Sequence, residues 1–335
     1  MNSNSNSNSN SNNQNIFPLS FCIPDECIVD EIPKKECVLA SLIPGDTSTY
    51  LYYGKEKEYN EMYRKSRFAI TKMKGGWDCL RHYEILMNGC IPLFENLSEC
   101  PKYTLTTYPK EWNDEAYALY NNWSDTEEDI QKYNELCERY LDHTRMNCTT
   151  TSTTKYFLDN VKDGYHIKNI LLLSGHTGIN YNRESLWIGL KRYIKSIGGV
   201  AVEYEKLPFL YTDNISNDHF VYSNRLVKDE YYNMSETEIV EKIKNKFWDV
   251  IIYGKVGPDE IFTFPYYDIV KKKYNKNEIV FLFGSDEIFD LTVTDPTKHH
   301  LNMFHRWIPY QPYIDSLNYY KKLGTCFVRE LELEL

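Results

Sequence analysis

Residues 72 to 97 read KMKGGWDCLRHYEILMNGCIPLFENL. Lys72 and Lys74 lead into the pair Gly75–Gly76, Asp78 follows, and Arg81 and Glu84 come next on what reads as a single helix. The N-terminus of a helix presents free backbone N–H groups and a partial positive charge, so it attracts phosphate. Gly75 and Gly76 would let the backbone come close to a bulky anion. Lys72 and Lys74 add charge, and Arg81 can fork onto the oxygens of a diphosphate. Glu84 neighbours Arg81 on the helix surface, and a carboxylate there can accept from the two hydroxyls of a ribose. An anion site followed by a diol site is what a nucleoside diphosphate requires. Each residue also has a plainer reading. Arg81 and Glu84 can form a surface ion pair contributing roughly a few tenths of a kcal/mol, Asp78 can be a helix N-cap, and Trp77 can belong to a core.

The elements that must position these groups follow from periodicity. An apolar strand is expected over 36–44, a polar helix over 56–66 and a second strand over 67–72. The helix from Asp78 to about Asn88 carries Leu80, Tyr83 and Met87 on one stripe, Gly89 stops it, and 90–94 forms the next strand. Strand, glycine turn, helix, strand is the βαβ signature. A long amphipathic helix over 126–145 closes this unit, and a threonine-rich segment leads to a boundary near 161–166. The second half repeats the pattern: a strand running into the glycine-bounded loop SGHTG over 167–178, a helix over 183–197, and strands at 247–254 and 277–287, each preceded by a helix. Apolar strands alternating with helices predict parallel sheets covered on both faces. The expected fold class is therefore α/β with two Rossmann-like domains, 17–162 and 163–335, behind a disordered Ser/Asn tail at 1–16. Ligands of such sheets bind at the carboxyl ends of the strands. The loops 72–78, 174–178, 254–257 and 284–287 all fall there, which suggests a shared cleft.

Composition narrows the partners. A net charge of −10 disfavours a general affinity for nucleic acid, leaving room for a local basic pocket. No apolar run is long enough for a membrane span, and the N-terminal tract lacks the apolar centre of a signal peptide. The 9 cysteines show no C-x-x-C pair, and Cys22, Cys27 and Cys37 gain no fourth ligand at zinc spacing, so reduced thiols in a cytoplasmic compartment are expected. The 29 tyrosines read as codon bias put to use in cores and clefts, and the sequons at Asn122 and Asn147 as chance matches in an Asn-rich chain.

The segment SRFAITKMKGGWDCLRHYEILMNGCIPLFENL resembles the donor-binding motif of exostosin-type glycosyltransferases, through Ser66, Phe68, Gly75–Gly76, Arg81, Glu84 and Gly89–Cys90–Ile91–Pro92. The Trp-Asp-x-x-Arg-His-Tyr-Glu version resembles a branch found in algae and large DNA viruses. With CPKYTLTTYPKEW downstream, the resemblance extends over roughly 40–112. It implies a GT-B fold, two Rossmann-like domains across a cleft, in which Lys74, Gly75, Gly76, Asp78, Arg81 and Glu84 hold a nucleotide-sugar donor, Arg81 at the diphosphate and Glu84 at the ribose. The donor-like half comes first here, the reverse of the usual order, which implies a circularly permuted arrangement. The implied activity is inverting transfer of a hexose or pentose, with a UDP-sugar as the favoured donor, to a glycan or protein-linked acceptor, without an essential metal or other cofactor.

Such a transfer needs a base for the acceptor hydroxyl. Asp286, ending the strand IVFLFG, is the first choice and Glu287 the second, although Asp286 can equally cap a turn. His176 in SGHTG and Arg183 on the following helix are candidates for acceptor or phosphate contacts. His299, His300 and His305 fit no zinc spacing, so no metal is expected. The rival reading is a non-catalytic carbohydrate- or nucleotide-binding protein of the same fold. An epimerase is disfavoured by the lack of G-x-G-x-x-G and of a suitable Tyr-x-x-x-Lys pair.

Overall fold

The computed structural model describes residues 15–52, 54–74, 76–175, 178–211, 222–226, 234–256, 265–283, 289–290, 299–301 and 307–332, of which 289–290, 299–301, 307–314 and 332 as backbone only. The chain is α/β. Its larger sheet has six parallel strands in the order β1-β12-β8-β7-β5-β6, and a smaller parallel sheet has the order β2-β3-β4. The large sheet is made of β1 (Ile16–Pro18), β5 (Asn169–Leu173), β6 (Val200–Tyr204), β7 (Val250–Val256), β8 (Ile279–Phe283) and β12 (Thr325–Val328). The small one is made of β2 (Cys37–Leu39), β3 (Ser66–Thr71) and β4 (Ile91–Phe94). Two-residue and three-residue ladders, β9 (Phe289–Asp290) with β13 (Leu331–Glu332) and β10 (His299–Leu301) with β11 (Trp307–Pro309), lie outside both.

Helices connect the strands as parallel pairing demands. They are α1 (Glu56–Lys65), α2 (Leu80–Met87), α3 (Asn113–Asn121), α4 (Glu127–Asn147), α5 (Thr150–Asn160), α6 (Tyr181–Ser196), α7 (Glu236–Lys244), α8 (Tyr267–Lys273) and α9 (Tyr310–Leu323). From β5 the chain moves outward to β6 and then crosses back to β7, so the strand order reverses between β5 and β7. Strand β5 shows why its run is apolar throughout. Ile170 and Leu172 enter one core, Leu171 and Leu173 the other, and all four are buried. The first core continues into the small-sheet half through Phe68, Tyr83, Ile91 and Phe94.

One expectation needs correction. The N-terminal segment does not stay with the first unit: Ile16, counted with the tail, is 2% exposed, and β1 pairs in parallel with β12. The threonine-rich segment forms helix α5. A capping box between Thr149 and Ser152 starts it, and Thr150, Thr153 and Thr154 are buried. Its packing explains a glycine inside α6. A Cβ on Gly189 would lie 2.1 Å from Thr154 Oγ1 and 2.2 Å from the Thr150 carbonyl oxygen. Gly189→Ala is therefore expected to lower stability by about 1–3 kcal/mol, in spite of the ~1 kcal/mol that alanine gains in a helix. An unchanged or higher midpoint in urea unfolding would contradict this packing.

Candidate functional site

β3 is the middle strand of the small sheet, and its chain leaves the carboxyl end at Thr71 into Lys72, Met73 and Lys74. Beside it β2 ends at Leu39 and passes into a loop carrying Pro44, Gly45, Thr47 and Tyr50. Arg81 sits in the first turn of α2. These elements enclose a cavity of about 480 Å3 lined by Pro44, Gly45, Thr47, Tyr50, Lys72, Met73, Lys74 and Arg81. The volume falls in the range of small-molecule sites, about 300–1,000 Å3. Lys72 approaches Glu95 only at 3.9 Å with both side chains a little under half exposed, and Lys74 makes no ion pair among the described residues. Arg81 donates to the Tyr50 hydroxyl at 3.4 Å and lies 5.8 Å from the centre of its ring, while Lys74 Nζ lies 6.0 Å from the same ring. The cavity is thus a cationic one with an aromatic wall.

Arg81 and Glu84 do not pair with each other. The Glu84 carboxylate instead accepts from the Tyr59 hydroxyl at 2.7 Å, on the side of α1, and does not line the cavity. Burial raises Glu84 to about 7, against the pull of the Tyr59 hydrogen bond and Arg81. A ribose contact from Glu84 would have to share the carboxylate with Tyr59.

The glycine turn serves a different anion from the one expected. Glu330, just beyond β12, accepts from the backbone N–H of Trp77 at 3.0 Å and of Asp78 at 2.7 Å. Arg329 donates to the Asp78 carbonyl oxygen at 3.2 Å from Nε and 2.6 Å from Nη2, and lies 3.2 Å from the Glu330 carboxylate. Gly76 has φ +114°, and a Cβ there would meet Glu330 Oε1 at 2.5 Å and Arg329 Nη2 at 2.7 Å. The close approach of an anion to this turn is real, and the anion belongs to the protein.

Asp78 is not an N-cap. Fully buried, it accepts from the Phe21 N–H at 2.7 Å and the Tyr83 hydroxyl at 3.0 Å. Burial lifts its carboxyl to about 6, against Arg329. Trp77 is 6% exposed and stacks on Phe94. His82, which carried no expectation, braces the turn from inside: Nε2 meets the Trp77 carbonyl oxygen and Nδ1 the Thr71 hydroxyl, each at 2.8 Å. A carbonyl can only accept, so Nε2 carries the proton and Nδ1 takes the Thr71 hydroxyl proton. Burial pushes the imidazole down to about 3, so it stays neutral.

The remaining motif residues hold the scaffold. Phe68 is ringed by Tyr120, Trp123 and Tyr133. The Gly89 carbonyl oxygen receives Lys35 Nζ, the Tyr133 hydroxyl and Cys137 Sγ. Pro92 is tolerated because β4 is an edge strand.

In the large sheet Arg183 is a structural residue, contrary to its expected ligand contact. It is 0% exposed and donates to the Ser174 carbonyl oxygen at 2.7 Å and to the Glu184 carboxylate at 2.6 and 2.9 Å. Its stem packs on β7, where a Cβ at Gly254 would lie 2.7 Å from Arg183 Cδ. Gly75, His176, Asp286 and Glu287 lie outside the described residues, as does His305, and the side chains of His299 and His300 are likewise not described. Among the described residues no group of three or more His, Cys, Asp or Glu is placed to hold a metal ion, and no helix is long and apolar enough to cross a membrane. Tyr50 and Gly45 were not expected at the site, since neither lies at a spacing that links it to Arg81.

Comparison of the chain with protein-family models, with curated proteins and with solved structures gives no match.

Glu84 supplies a pH test of this geometry. Its carboxyl rises from 4.5 to about 7 on folding, so the folded chain holds this proton more tightly than the unfolded one. Stability from this group is greatest below pH 4.5 and falls as pH rises toward 7. Glu84→Gln, neutral throughout, is expected to remove about 1–3 kcal/mol of that decline, read from urea midpoints across the window. An identical slope in wild type and variant would show that Glu84 is not held in this environment.

Proposed function

We propose that the protein is a glycosyltransferase that takes a sugar from a nucleoside-diphosphate donor, a UDP-sugar by preference, and passes it to an acceptor hydroxyl with inversion. The observation that carries this reading is the meeting of Lys72, Lys74 and Arg81 around one cavity at the carboxyl ends of β2 and β3. These residues belong to the stretch that resembles the exostosin-type donor motif. In this reading the three cations bind the diphosphate and stabilise the charge that grows on it as the sugar leaves, the part a metal ion plays elsewhere. The large-sheet half faces the acceptor across a cleft, as in a permuted GT-B arrangement, and Asp286 or Glu287 takes the acceptor proton. The diphosphate lies against the side-chain cations rather than on the Trp77 and Asp78 N–H groups, which already hold Glu330.

One observation favours a second reading, a nucleotide-binding protein without turnover. Both carboxylates of the motif, Asp78 and Glu84, are engaged in internal hydrogen bonds, so the cavity has cations but no carboxylate in its lining.

Calorimetric titration with UDP tests the donor site. Arg81→Ala is expected to weaken binding by roughly 10- to 100-fold, the scale of a hydrogen bond to a charged group, and Lys74→Ala by less. Binding that ignores both substitutions would refute the site. UDP release from a panel of UDP-sugars then separates the readings, since transfer or hydrolysis requires an enzyme and binding without release supports the second.

A further inference from the structure

The turn between β2 and α1 does more than wall the cavity. The Tyr50 hydroxyl accepts from the Gly45 N–H at 3.3 Å and from Arg81 Nη2 at 3.4 Å. Two donors from separate elements converge on one oxygen, and both bonds are longer than the usual 2.7–3.2 Å of an N–H···O contact. A second cation stands beside them: a Cβ on Gly45, whose φ is +94°, would come within 3.0 Å of Lys72 Nζ. Glycine here lets the ammonium lie against the loop backbone. Lys74 completes the set from across the Tyr50 ring. An oxygen that takes a backbone N–H and a guanidinium, beside a cavity lined by two ammonium groups, stands where a phosphate oxygen would be bound.

We infer that the Tyr50 hydroxyl is a placeholder for a phosphate oxygen, and that the Gly45 N–H joins Lys72, Lys74 and Arg81 in binding the diphosphate once Tyr50 swings aside. This deepens the donor-site reading and rests on it. The loop is built for such an exchange. Thr49 Oγ1 donates to the Asp46 carbonyl oxygen at 2.7 Å and receives the Ile43 N–H at 3.0 Å, and the Asp46 carboxylate caps Ser48 N–H at 3.0 Å. The turn is therefore braced without Tyr50, which follows it and is 37% exposed. Rotating one side chain frees both donors and leaves the turn intact. Burial works to raise the phenol pKa, but the Gly45 N–H, Arg81 and Lys74 outweigh it and hold the group below its usual value, in keeping with a positive field at that oxygen.

The test uses the full chain, titrated by calorimetry with inorganic pyrophosphate and with UDP, as wild type, Tyr50→Phe and Arg81→Ala. Removing only the hydroxyl removes the competitor, so Tyr50→Phe should bind both ligands more tightly by about fivefold, the scale of one neutral hydrogen bond. Equal or weaker binding of pyrophosphate by Tyr50→Phe, alongside wild-type binding that Arg81→Ala abolishes, would overturn the placeholder and leave the diphosphate site standing. A gain for UDP alone would also overturn it, because Tyr50 would then oppose the nucleoside and not the phosphate. If wild type binds neither ligand, the diphosphate reading itself fails and the inference falls with it.

Discussion

The constraint on which the rest of the site depends is the carboxylate of Glu330 seated on the N–H groups of Trp77 and Asp78. It comes from the end of β12, the strand that also pairs with β1, and it reaches a turn of the small-sheet half. Removing two charges from water is costly unless each is paired and its hydrogen-bonding capacity met. Here Arg329 lies against Glu330 and also covers the Asp78 carbonyl, while Asp78 in turn binds the Phe21 N–H. The network ties residues near both ends of the described chain to the turn that precedes α2. Gly76 is required because any side chain would collide with it.

That anchoring decides what the neighbouring residues can do. With the turn held from below by Glu330 and from within by His82, Lys72, Lys74 and Arg81 are left at the carboxyl end of the small sheet with little to neutralise them. In a chain of net charge −10 such a cluster is a local reversal of sign. A cavity walled by protein concentrates that field and favours an anionic ligand over the surrounding surface. The carboxylates of the same stretch are used elsewhere, Asp78 and Glu84 for architecture, so the motif separates cations that face the cavity from acids that hold the frame.

Much of this was legible in the sequence, and the exceptions have physical reasons. Strand β3, helix α2 and strand β4 follow from local signals: an apolar run, a stripe at helical spacing and the stop at Gly89. Lys74 and Arg81 could be placed together because they flank one turn. The threonine-rich α5 was missed because its helix is stabilised by burial against Gly189, which intrinsic propensity does not register. Strand β1 was missed because its partner lies at the far end of the chain. The need for glycine at position 76 was readable, but the identity of its anion was not, since 252 residues separate Glu330 from Asp78. Arg183 illustrates the opposite error. A charged residue at the start of a helix after a strand looks accessible, yet its three donor groups are consumed by Ser174, Glu184 and Gly178.

The proposed site for a diphosphate is the point where Lys72, Lys74 and Arg81 converge. The most direct measurement is a crystal structure of the full chain with UDP. Density for both phosphates is expected between these side chains, with Arg81 within hydrogen-bond distance and the Tyr59–Glu84 and Glu330 contacts intact. Density on the large sheet instead, or a diphosphate that displaces Glu330 from the Trp77 and Asp78 N–H groups, would contradict it.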